Sequence, residues 1–137
     1  MKYRRFDHTA DIGVRIFGET LKSLFEHGAE ALFSLISGGG SAEKSAIVTL
    51  AIAGDTLEDL FMNWMKRLLF EFNGNERLII RAVILSLSEN ALEAELWVVP
   101  FDPRIHEIQN EIKAVTYHGL IVEKRGEGWF AQVIFDV

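Results

Sequence analysis

The chain has no cysteine, and this excludes a disulfide framework, a thiolate metal site and a cysteine nucleophile. Any metal must then be held by oxygen or histidine nitrogen. Basic residues are also few, 14 Lys and Arg against 20 Asp and Glu, for a net charge of -6. Affinity for phosphates comes from clustered cations that release counterions, so independent nucleic-acid binding is not expected. The densest basic group, Lys2, Arg4 and Arg5, reads as solvated surface. No apolar run approaches the 18 or so residues of a membrane span, and the opening MKYRRFDHTAD lacks the apolar core of a secretory signal, so the expected location is cytoplasmic without membrane contact. Prolines number only two, and both fall in one segment, Pro100 to Asn110, which carries FDPRIHE. A long loop of this kind in a compact domain is often functional.

What is present reads as one compact unit over residues 1–137. A chain of this length buries roughly two thirds of its unfolded surface. Its hydrophobic fraction of 49% and charged fraction of 25% belong to a globular protein rather than a disordered one.

Tyr3 to Phe6 and Ile12 to Phe17 read as strands, with Asp7 to Asp11 connecting them. Thr20 is placed to cap a helix with Leu21, Leu24, Phe25, Leu32 and Leu35 or Ile36 at helical spacing, and the glycines at 38 to 40 end it. Ser45 to Ala53 reads as a strand. Asp55 with Glu58 resembles a capping box for a second helix, whose stripe is Leu57, Leu60, Phe61, Trp64, Leu68 and Phe72. Four strands follow, over 78–88, 92–99, 113–124 and 129–135, with short connections that imply antiparallel pairing. The expected fold is α+β in the order ββαβα followed by four strands, with two helices packed on a largely antiparallel sheet.

The chemistry concentrates at strand ends. Asp11 begins one strand and Asp136 ends the last, so antiparallel pairing of the two would bring their carboxylates together. Val137 adds an α-carboxylate one residue on. Three carboxyl groups and water suit a hard divalent cation such as calcium. The plainer alternative is that Asp11 caps a turn and Asp136 is merely solvated. Lys113, at the mouth of KAVTYHGL, is either surface charge or a mobile cation for these carboxylates or for an arriving phosphate. His8 and His118 are candidate ligands or general acids, although neither has zinc-site spacing and both suit structural hydrogen bonding. Gly38-Gly39-Gly40-Ser41 lacks the Lys of a phosphate loop and follows a helix, so it reads as a connection.

DHTADIGVRIFG, ETLKSLFEHGAEALF, KAVTYHGL and the final FDV, in this order and at this chain size, resemble the archease family over essentially the whole chain. The resemblance implies a non-enzymatic cytoplasmic accessory factor in tRNA processing and splicing. Its partner would be the RNA ligase that joins 2′,3′-cyclic phosphate or 3′-phosphate ends to 5′-hydroxyl ends. As an activator it would promote guanylylation and multiple turnover of that ligase, and it would meet RNA only through it. The resemblance places a metal site on Asp11, Asp136 and Val137, with calcium as the expected ion and magnesium or manganese as alternatives, and a further functional residue on Lys113. His8 and Asp7 are expected to order the turn, the resemblance giving Asp7 no ligand role, and His118 is a further candidate for a supporting position. Two alternatives stay open: a chaperone or modulator of an RNA methyltransferase, and a metal-dependent phosphoester hydrolase using the same carboxylates.

Overall fold

The computed structural model describes residues 1–8, 11–38 and 44–137, residues 7 and 8 by their backbone. Seven strands and two helices follow one another in the expected order, and every pairing is antiparallel. The strands are β1 (Tyr3–His8), β2 (Asp11–Gly18), β3 (Ala46–Ala53), β4 (Arg77–Leu87), β5 (Ala91–Pro100), β6 (Ala114–Arg125) and β7 (Gly128–Asp136). The helices are α1 (Leu21–Ser37) and α2 (Leu57–Asn73). The strands form two sheets instead of one, in the orders β1-β2-β7-β6 and β3-β5-β4. Period-two alternation tells a strand which face to bury, but not which strand lies beside it.

Both helices touch both sheets. This double coverage explains why α1 buries Gly28, Ala29, Ala31 and Phe33 as well as its expected stripe. Between the helices, Trp64 is fully buried and its indole N–H donates to the Phe25 carbonyl at 3.0 Å, so the ring is buried without stranding its donor. Phe25 and Phe61 meet edge to face, with ring centroids 5.1 Å apart.

The caps follow from local chemistry. At α1, the Thr20 hydroxyl accepts from the Ser23 N–H while the Ser23 hydroxyl accepts from the Thr20 N–H, a reciprocal box. At α2 the cap is Thr56, not Asp55. Its hydroxyl accepts from the Asp59 N–H at 3.1 Å, and Glu58 and Asp59 supply negative charge to the first turn. Two cap-competent residues stood side by side, and the helix starts one residue later than the Asp55 reading required.

Glu71 is a feature the sequence reading did not single out. Its side chain is completely buried, and its carboxylate accepts from Arg67, Asn75 and Arg77. Burial pushes the carboxyl pKa upward, but the hydrogen bonds from Asn75, Arg77 and Arg67 outweigh it and hold the group below its ordinary value. A signal was present: Glu71 lies three residues after Leu68 and seven after Trp64, on the apolar stripe, with Arg67 one turn before it.

The segment carrying both prolines is fastened rather than open. Asn110 donates its side-chain amide to the Leu35 carbonyl and Gln109 its backbone N–H to the Ile36 carbonyl, satisfying acceptors at the C-terminal end of α1. Phe101 lies between Phe72 and His106, with centroids 5.4 Å and 5.9 Å away, and Ile112 is buried. Its evident role is to close the helix ends.

Candidate functional site at one end of the four-stranded sheet

Residues 12, 14 and 16 of β2 face the helices, opposite Phe135, Val133 and Ala131 of β7, and all six are buried. That apolar register forces the intervening residues to the other face, and the two strands terminate as facing partners, Asp11 opposite Asp136. Directly facing residues of an antiparallel pair have Cβ atoms about 5 Å apart on one face, and like charges there repel. Ala114 of β6 is the partner of Asp136 on its other side, and His8 of β1 pairs in backbone register with Asp11. One row of the sheet thus reads His8, Asp11, Asp136, Ala114.

Lys113 precedes β6, and its backbone N–H donates to the Asp136 carbonyl at 2.7 Å. The residue before it is fixed too, because the Asn73 side chain donates to the Ile112 carbonyl at 2.9 Å. Lys113 is therefore held by its backbone at the carboxylate end, with an exposed side chain. It stands one residue out of phase with Ala114, so its four-carbon stem has to bend round the end of the sheet to reach Asp136. Val137 follows Asp136 directly and is 37% exposed.

Phe6 braces this end. A Cβ on Gly13 would fall inside the Phe6 ring, so the ring lies against the bare backbone two residues from Asp11. Arg15 stacks over that ring, 4.3 Å from its centroid, and donates to the Gln132 side chain of β7. Three strands are tied together by these contacts, a few residues in from the carboxylates.

The remaining candidates divide. Asp7 and His8 belong to β1 rather than to a connection, and Asp7 pairs with Ile12, out of phase with the row. Thr9 and Ala10, and the glycine connection at 39–41, lie outside the described residues. His118 is not brought to the site. It sits four residues beyond Ala114, roughly 13 Å along the strand, in an irregularity between Thr116 and Ile121 where Gly119 takes φ 65°. Among the described residues, no three His, Asp or Glu side chains converge as a complete metal cage. The two facing aspartates are nonetheless hard oxygen donors, a type that suits calcium or magnesium better than zinc. Asn73 escaped the sequence reading, since nothing in the spacing of residues 73 and 112 announces their contact. No helix among the described residues is long and apolar enough to cross a membrane.

Comparison with known proteins accounts for this architecture. The family model for the archease protein family (MTH1598/TM1083) matches residues 3–137. Protein archease of Pyrococcus abyssi is 33% identical, with 99% of each chain covered, and that of Methanosarcina acetivorans is 34% identical, covering 99% of this chain and 96% of its own. Among solved structures, protein 1598 of Methanobacterium thermoautotrophicum shares the fold with TM-score 0.72 at 24% identity, covering 98% of each chain. A Thermotoga maritima archease, described as a possible chaperone, aligns with TM-score 0.67 at 25% identity, over 98% of this chain and 96% of its own. The chain belongs to the archease family.

Proposed function

We propose that this protein activates an RNA ligase that joins 2′,3′-cyclic phosphate or 3′-phosphate ends to 5′-hydroxyl ends, by promoting guanylylation of the ligase and sustaining its turnover. The observation that carries the reading is the facing pair Asp11–Asp136, with Lys113 tied by its backbone to Asp136. A sheet end of this kind, with two carboxylates and a lysine held by separate backbone anchors, suits a nucleotide triphosphate held in another protein's pocket. Asp11, Asp136 and the α-carboxylate of Val137 would hold a divalent cation, calcium or else magnesium or manganese, which when bound supplies positive charge against developing phosphate charge. Lys113 contributes a flexible point charge for phosphate oxygens. Phe6, Gly13 and the apolar register of β2 and β7 keep the carboxylates placed. RNA is reached only through the ligase, in keeping with the net charge of -6.

The test is guanylylation of the cognate ligase with labelled GTP at limiting ligase. Untagged wild-type protein, Asp11→Ala, Lys113→Ala and no addition are compared. Stimulation by wild type and its loss in both variants is the expected result. Equal stimulation by the variants would move the site elsewhere, and phosphoester turnover by the protein alone with added Mn²⁺ or Mg²⁺ would replace the activator by a hydrolase.

A second reading, a chaperone for a partner such as an RNA methyltransferase, draws on the description of the Thermotoga maritima relative. It requires suppression of aggregation that does not depend on Asp11 or Lys113.

A further inference from the structure

A sheet edge exposes backbone donors and acceptors that can pair with another chain, and three of the four edges here are guarded. β1 carries Arg4 and Arg5. β6 is interrupted between Thr116 and Ile121 and ends in Glu123, Lys124 and Arg125. β4 breaks register twice, and its Ile84 N–H is taken by the Glu26 carboxylate of α1 at 2.9 Å. β3 has none of these devices. Its eight residues, AIVTLAIA, contain no charge and no proline, and its pairing with β5 runs unbroken from Ala46 to Ala53.

The direction of its free groups can be read from the ladder. The Gly54 N–H donates to the Asn90 carbonyl, one step beyond the Ala53–Ala91 pair, which makes Gly54 a hydrogen-bonded position. By antiparallel alternation, Ile52, Leu50, Val48 and Ala46 then bond to β5, while Ala53, Ala51, Thr49 and Ile47 turn their N–H and C=O groups outward. Ala53 confirms the phase, because its carbonyl accepts from the Asn63 side chain of α2 at 2.8 Å. The open edge is thus Ile47 to Ala51, with Ile47 56% exposed.

We infer that two copies of this chain pair through β3, antiparallel about a two-fold axis at Thr49, joining their three-stranded sheets into one of six strands. This occupant fits because the segment is complementary to itself. Thr49 faces Thr49 of the second copy, and each Ile47 faces the small Ala51 of the other. All the outward N–H and C=O groups of the three residues are used in that register. On the inner face, Val48 meets Leu50 and the larger Ile52 meets Ala46, so apolar positions stay with apolar positions. No residue of β3 itself brings a charge to the axis.

The experiment is light scattering on untagged full-length protein over a concentration series, with amide hydrogen exchange on the same samples. The expected mass rises from 15.5 kDa toward twice that value, and the amides of Ile47, Thr49 and Ala51 become protected as it rises. Thr49→Pro removes an outward donor while sparing the β5 ladder, as proline does on an edge strand. It should remain a monomer with unchanged circular dichroism, whereas Lys124→Ala on the β6 edge should dimerise like wild type. A wild-type mass of one chain up to the solubility limit overturns the inference and leaves the edge to a strand of another protein. Dimers whose three outward amides stay unprotected overturn it as well, whether or not Thr49→Pro folds.

Discussion

Glu71 and the Asp11–Asp136 pair are both anionic sites, and they are built in opposite ways. Glu71 is buried, yet it has two guanidinium groups and an amide from its own chain, so its charge is satisfied internally. Asp11 and Asp136 are set face to face by the register of strands whose adjoining residues, Ile12 and Phe135, are buried. Folding surrounds the first carboxylate with cations of its own chain, whereas it places the second pair at the shared end of two strands.

Removing each site separately breaks the comparison most directly. The double substitution Asp11→Asn with Asp136→Asn should reduce stimulation of ligase guanylylation by more than the roughly tenfold to hundredfold that loss of an outer-shell metal partner costs. Urea unfolding in a chelator should show no loss of stability for that variant. Glu71→Ala should do the reverse. Loss of hydrogen bonds to a charged group costs about 2–3 kcal/mol in the urea unfolding free energy, while stimulation per folded molecule stays at wild type.

A change at the chain end sharpens the comparison further. A short tag after Val137 moves the α-carboxylate away from Asp136, and calcium affinity measured by titration calorimetry should fall about tenfold, equivalent to about 1.4 kcal/mol. Unchanged affinity would remove Val137 from the donor set. The pH dependence separates the sites again. The Glu71 carboxyl is held below its ordinary value of 4.5, so its contribution is complete above that value and disappears as the pH falls through the lowered one. Wild type should therefore lose more stability than Glu71→Gln on acidification in this window, seen as converging urea midpoints. The smallest effect belongs to the single Asp11→Asn substitution. It should leave metal-free stability within about 0.5 kcal/mol of wild type, as substitutions away from the core usually do.

Much of the facing pair was legible because it follows from counting. Ile12, Val14 and Ile16 alternate, the last strand alternates in turn, and strand ends meet once the pairing is antiparallel. The first helix cap was equally local, since Thr20 and Ser23 satisfy each other. What depended on distant contacts was hidden. Nothing near residue 73 reports that Asn73 reaches Ile112, and the apolar wealth of α1 did not reveal that it was covered from two sides. The reach of β1 through His8 was obscured by polar residues that read as a turn. Glu71 lay between these cases: its place on the apolar stripe was visible, but Arg77 and Asn75 come from beyond the helix.

The clamp on Ile112 and Lys113 bears on how quickly and how tightly the protein can engage another molecule. A lysine on a loose loop would surrender about 1–2 kcal/mol of backbone entropy for every residue ordered at the encounter. Here Asn73 and the Asp136 carbonyl have already fixed that backbone. Only the side chain's rotamers, worth about 2 kcal/mol, remain to be frozen, so under the proposed function the lysine would dock in a nearly finished arrangement with no folding step of its own.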